Sequence, residues 1–406
     1  MDKLVVNYLG IRASSNLVFH IAILQPYLVS LNISLEYVFL GYSAAFFVGT
    51  IAEAPTGAFA DRFGRKLSLL LGLLLLSISY FGLYIVANPA QLIAAMSLSA
   101  LGHALISGAD TAILFDLLKS QQRQESYTRW EGWGYIAALI CYGGSAATGS
   151  VIAEFTDLGF PLVLSALCAF VGIAFVLLLP SNDGRANTSH LGPLGFAGFR
   201  EVLLLLRTNQ KLRYAAVNYV IFAVIVEVGT LLFQPMMIGL GVGIVWFGPL
   251  VALLVFVDVA GVSATRQSWF LRLQQASQIK FAWWIFTGFV LLSLLSALLN
   301  PFIAVVLGLS AFALHAFGDG LQYPLVRMQV NQEYDGVSRA TLISVLAMAS
   351  GLATSGVSAA SGVLIEKFGY WAGFMPLLLL LLWYPKFGGH PTAKQTNQQL
   401  DGTSHS

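Results

Sequence analysis

The feature that most constrains this chain is a succession of apolar stretches, each about 20 residues long, the length a helix needs to cross a bilayer core. They fall at roughly 13–33, 36–59, 67–87, 90–117, 131–153, 160–180, 212–236, 240–262, 280–299, 301–326, 340–365 and 370–385. Turn signals punctuate them, with Asn88-Pro89 after the third and Asn300-Pro301 after the ninth. The pattern is that of an all-α polytopic membrane protein of twelve transmembrane helices.

Composition leaves the chain little choice of solvent. Of its 406 residues 57% are hydrophobic and 10% charged, with a mean hydropathy of +0.77, against roughly 25% charged in soluble domains. Too few charges remain to solvate a globular surface of this size, so most of the outside must lie against lipid. The net charge of +2 gives no reason to expect nucleic acid. Cys141 and Cys168 sit inside apolar runs without metal-ligand spacing and read as structural thiols. Lys3 and Arg12 before an apolar stretch look superficially like a leader. That stretch continues past Pro26 to about Ile33 with no small-residue cleavage site, and reads as a retained first span.

Orientation follows from the basic residues. With the N-terminus in the cytoplasm, all of the 21 Lys and Arg except Lys367 fall on the inner side, as positive-inside topology requires. A miscounted span would scramble this asymmetry, so it supports twelve spans with both termini cytoplasmic.

The chain reads as two halves. An N-terminal six-helix bundle covers 1–180, a longer polar linker with a short amphipathic stretch (Phe199 to Leu206) covers 181–211, and a second bundle covers 212–386. The polar tail 387–406 is expected to be disordered. The halves repeat each other: Gly108, Glu125 and Arg129 recur as Gly318, Asp335 and Arg339, each 210 positions later. Parallel repeats of this kind put a substrate site near the midplane.

Between the second and third spans stands Gly57-Ala58-Phe59-Ala60-Asp61-Arg62-Phe63-Gly64-Arg65-Lys66. Gly57 and Gly64 permit a tight turn, Asp61 is a fixed anion at a helix end, and Arg62, Arg65 and Lys66 hold the loop at the cytoplasmic face and its lipid phosphates. The segment resembles the loop signature G-x-L-A-D-R-x-G-R-K of the major facilitator superfamily, with Phe59 in place of leucine. The resemblance implies two pseudo-symmetric six-helix bundles, alternating access, a monomer, and a conformational latch at this loop carried by Asp61 and Arg65. Glu53-Ala54-Pro55-Thr56, Ser107-Gly108-Ala109-Asp110-Thr111-Ala112 and Phe115-Asp116-Leu117-Leu118 resemble a bacterial, drug:proton antiporter-like subgroup, which implies the bacterial inner membrane. The fifth span departs from that subgroup: it reads Gly134…Gly143-Gly144…Gly149 with no proline, which leaves the direction of transport open.

Ionisable residues within spans are costly and mark pathways. Spans three, six, nine and twelve carry none in their apolar cores, whereas His20, His103, Asp110, Glu227, His315 and Asp319 lie in spans one, four, seven and ten. In the superfamily those four helices line the cavity. Asp110 is the first choice for proton carrier, with His103 two turns before it on the same face. Glu227, Asp319 and His315 are further proton-coupling candidates, the last two sharing one face of span ten. His20, Asn16, Gln25, Asn218, Gln234 and Gln322 are substrate-cavity candidates, with Tyr323 beside them. Glu53 and Asp258 lie nearer the cytoplasmic ends and are expected to form interdomain pairs. Acidic candidates without a midplane arginine favour proton-coupled efflux of small amphipathic or cationic compounds. The alternative is proton-symport uptake of a small nutrient such as a sugar, amine or peptide. With no nucleotide loop, HExxH or nucleophile elbow, neither an enzyme nor a metal or cofactor is expected.

Overall fold

The computed structural model describes residues 3–180, 202, 204–332 and 339–387, and every regular element among them is helical. The helices are α1 (Lys3–Asn16), α2 (Leu24–Ser30), α3 (Leu35–Phe63), α4 (Arg65–Tyr84), α5 (Pro89–Ile106), α6 (Ala109–Ser120), α7 (Tyr127–Phe155) and α8 (Phe160–Leu177). They continue as α9 (Gln210–Gly239), α10 (Phe247–Ala264), α11 (Ser268–Leu271), α12 (Gln275–Ser296), α13 (Pro301–Gln332), α14 (Arg339–Phe368) and α15 (Met375–Phe387). Most of the expected linker 181–211, including part of its amphipathic stretch, and the tail beyond 387 lie outside the described residues.

Among the described residues, 10 helical segments are long and apolar enough to cross a membrane, with α5 and α6 counting together as one. The remaining two expected spans are present in other forms. The last is a shorter apolar helix at Tyr370–Trp383. The first is split into α1 and α2 by a non-helical segment at 17–23.

Local chemistry explains the boundaries. Asn88 and Asn300 each cap the helix that follows, accepting the backbone N–H of Gln91 (3.0 Å) and of Ile303 (3.1 Å), with proline at the first helical position. The fourth span breaks at Ser107-Gly108, where Gly108 adopts φ +76°, so Asp110 lies in the first turn of α6. The break in the first span is tertiary. The backbone at Phe19 presses onto α7 so closely that a Cβ on Gly149 would lie 1.8 Å from the Phe19 carbonyl oxygen. There the Val18 N–H donates to Ser145 Oγ (3.0 Å) instead of to its own helix.

Helix faces divide cleanly. On α4, Leu69, Leu73, Leu76, Tyr80 and Leu83 are buried at helical spacing, whereas Leu74, Ile78 and Phe81 are exposed. Similar exposed apolar rows stand on α8 (Leu167, Phe170, Leu177), α12 (Trp284, Leu291, Leu295) and α15 (Leu379, Leu382, Trp383). These four spans carry no charged residue or histidine in their apolar cores, and an apolar outer stripe is what lipid demands of them.

The chain groups into two compact units. The first comprises the described residues of Met1–Gly192 with Leu231–Val255 and Thr354–Gly373. Its core joins Val5, Tyr8 and Ile11 of α1, Leu69, Leu73 and Leu76 of α4, and Leu162, Ala169 and Val176 of α8. The second comprises the described residues of Pro193–Thr230, Phe256–Ala353 and Phe374–Ser406. Within it Phe289 stacks edge-on to Phe312 and Phe374 at 5.4 and 5.7 Å between ring centres.

Candidate functional site

In the first unit a charged cluster forms where α1, α6 and α7 meet. Arg12 pairs with Asp110 and reaches Glu131 at 4.0 Å, and Tyr8 donates its hydroxyl proton to Glu131 at 2.6 Å. Asp110 also accepts the Thr111 N–H at 2.7 Å. The arginine and the N-terminus of α6 both present positive potential to its carboxylate. Asp110 is therefore held by a cation, and proton loading there would compete with Arg12. Arg12, Glu131 and Tyr8 escaped the sequence reading. Positive-inside logic accounts for Arg12 as a topology anchor, and nothing local to residue 12 points to a partner at 110.

Farther along the same unit, His20 Nδ1 lies 2.9 Å from Ser165 Oγ, and its ring sits 4.6 Å from that of Tyr80. The Tyr80 hydroxyl lies 3.5 Å from His103 Nε2, so Tyr80 stands between the two histidines. His20 is buried and His103 exposed. Asn16 turns back to its own helix, donating to the Arg12 carbonyl at 2.8 Å. Gln25 and Gln234 are buried against each other.

In the second unit three carboxyls converge from α9, α10 and α13. Glu227 and Asp258 each lie near enough to Asp319 for their charges to interact. The approach of α10 to α13 depends on Gly320, whose Cα packs against Asp258: a Cβ there would lie 2.0 Å from the Asp258 carbonyl oxygen. No Lys or Arg among the described residues forms an ion pair with any of the three. Glu227, at mid-span, is exposed. A carboxylate facing lipid at that depth would be costly. His315, one turn before Asp319, is buried among Phe286, Phe289 and Phe312, with Nε2 3.1 Å from the Val226 carbonyl. Gln322 points an amide hydrogen toward Asp319 (3.4 Å), and Asn218 donates to Gln329 (2.8 Å). Tyr323 is exposed beneath the Arg327 guanidinium, 4.3 Å from its ring centre. Among the described residues no group of three or more His, Cys, Asp or Glu is arranged to hold a metal ion.

At the α3–α4 loop, Gly64 turns the chain with φ +99°. Arg65 pairs with Asp116 near the end of α6 and donates to the Ala112 carbonyl (2.8 Å). Lys66 donates to the carbonyls of Leu177 (3.1 Å) and Leu179, capping the C-terminus of α8 instead of reaching for lipid phosphate. Arg62 is exposed over the Phe63 ring at 5.2 Å, and Gly57 has open space around it. Asp61 is half-buried and takes part in no ion pair among the described residues.

Comparison with known proteins places this geometry in context. The sequence profile described as Major Facilitator Superfamily matches residues 5–358. The vesicular acetylcholine transporter of Torpedo marmorata is 30% identical over 139 residues, 34% of this chain and 26% of that protein. A probable vesicular acetylcholine transporter-A of Danio rerio is 32% identical over 135 residues, 32% of this chain and 25% of its own length. The chain thus spans about a quarter of the length of these curated relatives. Among solved structures, the nucleoside transporter NupG superposes with a TM-score of 0.76 at 15% identity, covering 96% of this chain and 100% of NupG. A D-xylose-proton symporter superposes at 0.67 and 15% identity over 95% of this chain and 97% of its own. At such identity the likeness is one of fold.

Proposed function

Because this chain belongs to the major facilitator superfamily, we propose that it is an alternating-access transporter that exports small amphipathic or cationic compounds in exchange for protons. The observation that carries this reading is the trio Glu227, Asp258 and Asp319, in which Asp319 lies within charge-interaction range of each of the other two and none of the three has a paired Lys or Arg among the described residues. Such a group is tolerable inside a membrane protein only when protons or a bound cation neutralise it. Protons and a cationic substrate then compete for the same charge, which is the elementary requirement of exchange. The similarity to transporters of acetylcholine, itself a cation, points the same way. An anionic substrate would want the opposite charge.

Glu227 and Asp319 are the groups in which proton and substrate alternate, and Asp258 adds to their negative potential. Asp110 is a second proton-responsive site: protonating it releases Arg12 to Glu131 without leaving an unpaired cation. The Arg65–Asp116 tie and Asp61, which forms no ion pair among the described residues, serve the latch between access states. The protein works as a monomer in a bacterial plasma membrane with both termini cytoplasmic.

The test uses everted membrane vesicles acidified inside and followed with a pH-sensitive dye. A panel of quaternary amines, lipophilic cations, neutral isosteres and sugars is added to vesicles with and without the protein. Dye recovery with cations supports exchange. Recovery with none of the panel, combined with acid-driven accumulation of a nutrient by whole cells, would replace this reading with symport.

A further inference from the structure

Gln25 and Gln234 are more than a polar contact. Each precedes a proline, in Gln25-Pro26 and Gln234-Pro235, and the two dipeptides lie 209 positions apart, close to the 210-residue offset of the internal repeat. Pro235 stands inside α9 and has no N–H to return to the carbonyl of Leu231 four residues earlier. That carbonyl accepts Gln25 Nε2 instead, at 2.9 Å. In a continuous first span the Gln25 N–H would return to Ile21. Here it donates to Gln234 Oε1 at 3.0 Å, and the Ile21 carbonyl accepts Gln234 Nε2 at 2.8 Å. Each glutamine thus satisfies a backbone carbonyl that the opposite helix has lost the means to satisfy itself. Both side chains are buried, Gln25 at 0% and Gln234 at 7% exposure.

The clasp has a definite place. α3 ends at the Asp61–Arg65 loop and begins just after α2, so α2 and its Gln25 lie toward the membrane face opposite that loop. A neighbouring crossing closes the same unit with contacts of the same kind: Ser150 donates to the Val245 carbonyl (2.9 Å) and accepts the Gly248 N–H (3.0 Å). In an alternating-access cycle this face opens to water, which would then take over the clasp's amides and carbonyls. The exchange is therefore between two satisfied states, as a readily reversible closure needs.

We propose that Gln25-Pro26 and Gln234-Pro235 form a repeat-related clasp that holds this face closed and sets the balance between the two access states. The inference rests on the alternating-access reading above, and not on the substrate class.

The experiment is pulsed electron spin resonance on the full-length protein in lipid nanodiscs. Spin labels go on Leu31→Cys and Ile238→Cys in a background where both native cysteines, Cys141 and Cys168, are alanine. Gln25→Leu removes one interhelical bond and Gln234→Leu two, so the long-distance population should rise by roughly threefold and roughly tenfold. Pro235→Ala restores a donor to Leu231, and should raise the long-distance population without lowering thermal stability. A purely structural contact would give stability changes with no shift in distance. Pro235→Ala removes only two ring carbons and no polar group, so it decides the matter even if a glutamine variant misfolds. Gly248→Trp serves as the wedge control, because a Cβ there would already lie 2.0 Å from the Ala146 carbonyl oxygen. If the wedge lengthens the distance while Gln234→Leu and Pro235→Ala do not, the clasp is wrong and alternation stands. If even the wedge leaves the distance unchanged, alternation fails and takes the clasp with it.

Discussion

Replacing Arg12 by methionine removes the cation that Asp110 and Glu131 share. The Arg12 and Asp110 side chains are 17% and 7% exposed, so the pair is largely desolvated. Deleting one partner of such a pair leaves an uncompensated buried charge, at a cost of about 3–5 kcal/mol. The mirror substitution Asp110→Asn is cheaper, because Arg12 keeps Glu131 at 4.0 Å and the asparagine can still accept the Thr111 N–H; about 1–2 kcal/mol is expected. The double variant Arg12→Met/Asp110→Asn should fall below the sum of the two, with a coupling of about 1–3 kcal/mol. Glu131→Gln added to Arg12→Met should recover part of the loss, since it removes the other stranded carboxylate. Reversible unfolding by sodium dodecyl sulfate in mixed micelles, followed by tryptophan fluorescence, measures all of these. Equal costs for the two single variants, or coupling under about 0.5 kcal/mol, would refute the view that Arg12 holds this cluster together.

Three further outcomes follow from the geometry. Gly149→Ala should destabilise by about 1–3 kcal/mol or prevent folding, because its Cβ meets the Phe19 backbone; expression and thermal unfolding check this. Arg65→Gln should cost little stability, at most about 1 kcal/mol, since Arg65 and Asp116 are 25% and 35% exposed and partly screened. If the loop is a latch, the same variant should slow transport at least tenfold, and unchanged transport would reduce the loop to a topology anchor. Lys66→Met should loosen the end of α8 by about 0.3–1 kcal/mol, seen as faster amide exchange near Leu177–Leu179 and nowhere else.

Much of this fold was legible because the bilayer imposes a length and the cytoplasm a charge. The stretches at 36–59, 131–153 and 212–236 became α3, α7 and α9 with ends a few residues farther out. Asn88-Pro89 and Asn300-Pro301, read as turn signals, proved to be helix caps. The division of the first span into α1 and α2 left no mark in hydropathy, since residues 17–23 are mostly apolar; its cause lies at Gly149, far along the chain. The repeat, too, is less exact than its sequence. Gly108 breaks its span with a positive φ, whereas Gly318 lies inside the continuous α13 against the Phe286 ring. Candidate side chains were visible as costly residues in apolar runs, but their partners were not. Which cation Asp110 meets depends on how α1 and α6 pack, and residue type alone cannot supply that. The recurring Gln-Pro dipeptide was a readable signal: a proline in a span frees a carbonyl, and a polar neighbour at the repeat-related position is a natural donor for it.

The most direct test of the central claim is proton release from purified protein on binding a cation. Protein in weakly buffered detergent solution with a pH-sensitive dye is titrated with a quaternary amine, then with its uncharged isostere. Wild type should release protons with the amine alone, and Glu227→Gln and Asp319→Asn should each reduce the release by at least half while remaining folded. Equal release from wild type and both variants, or release driven by the neutral isostere, would contradict the assignment of proton–cation exchange to these carboxyls.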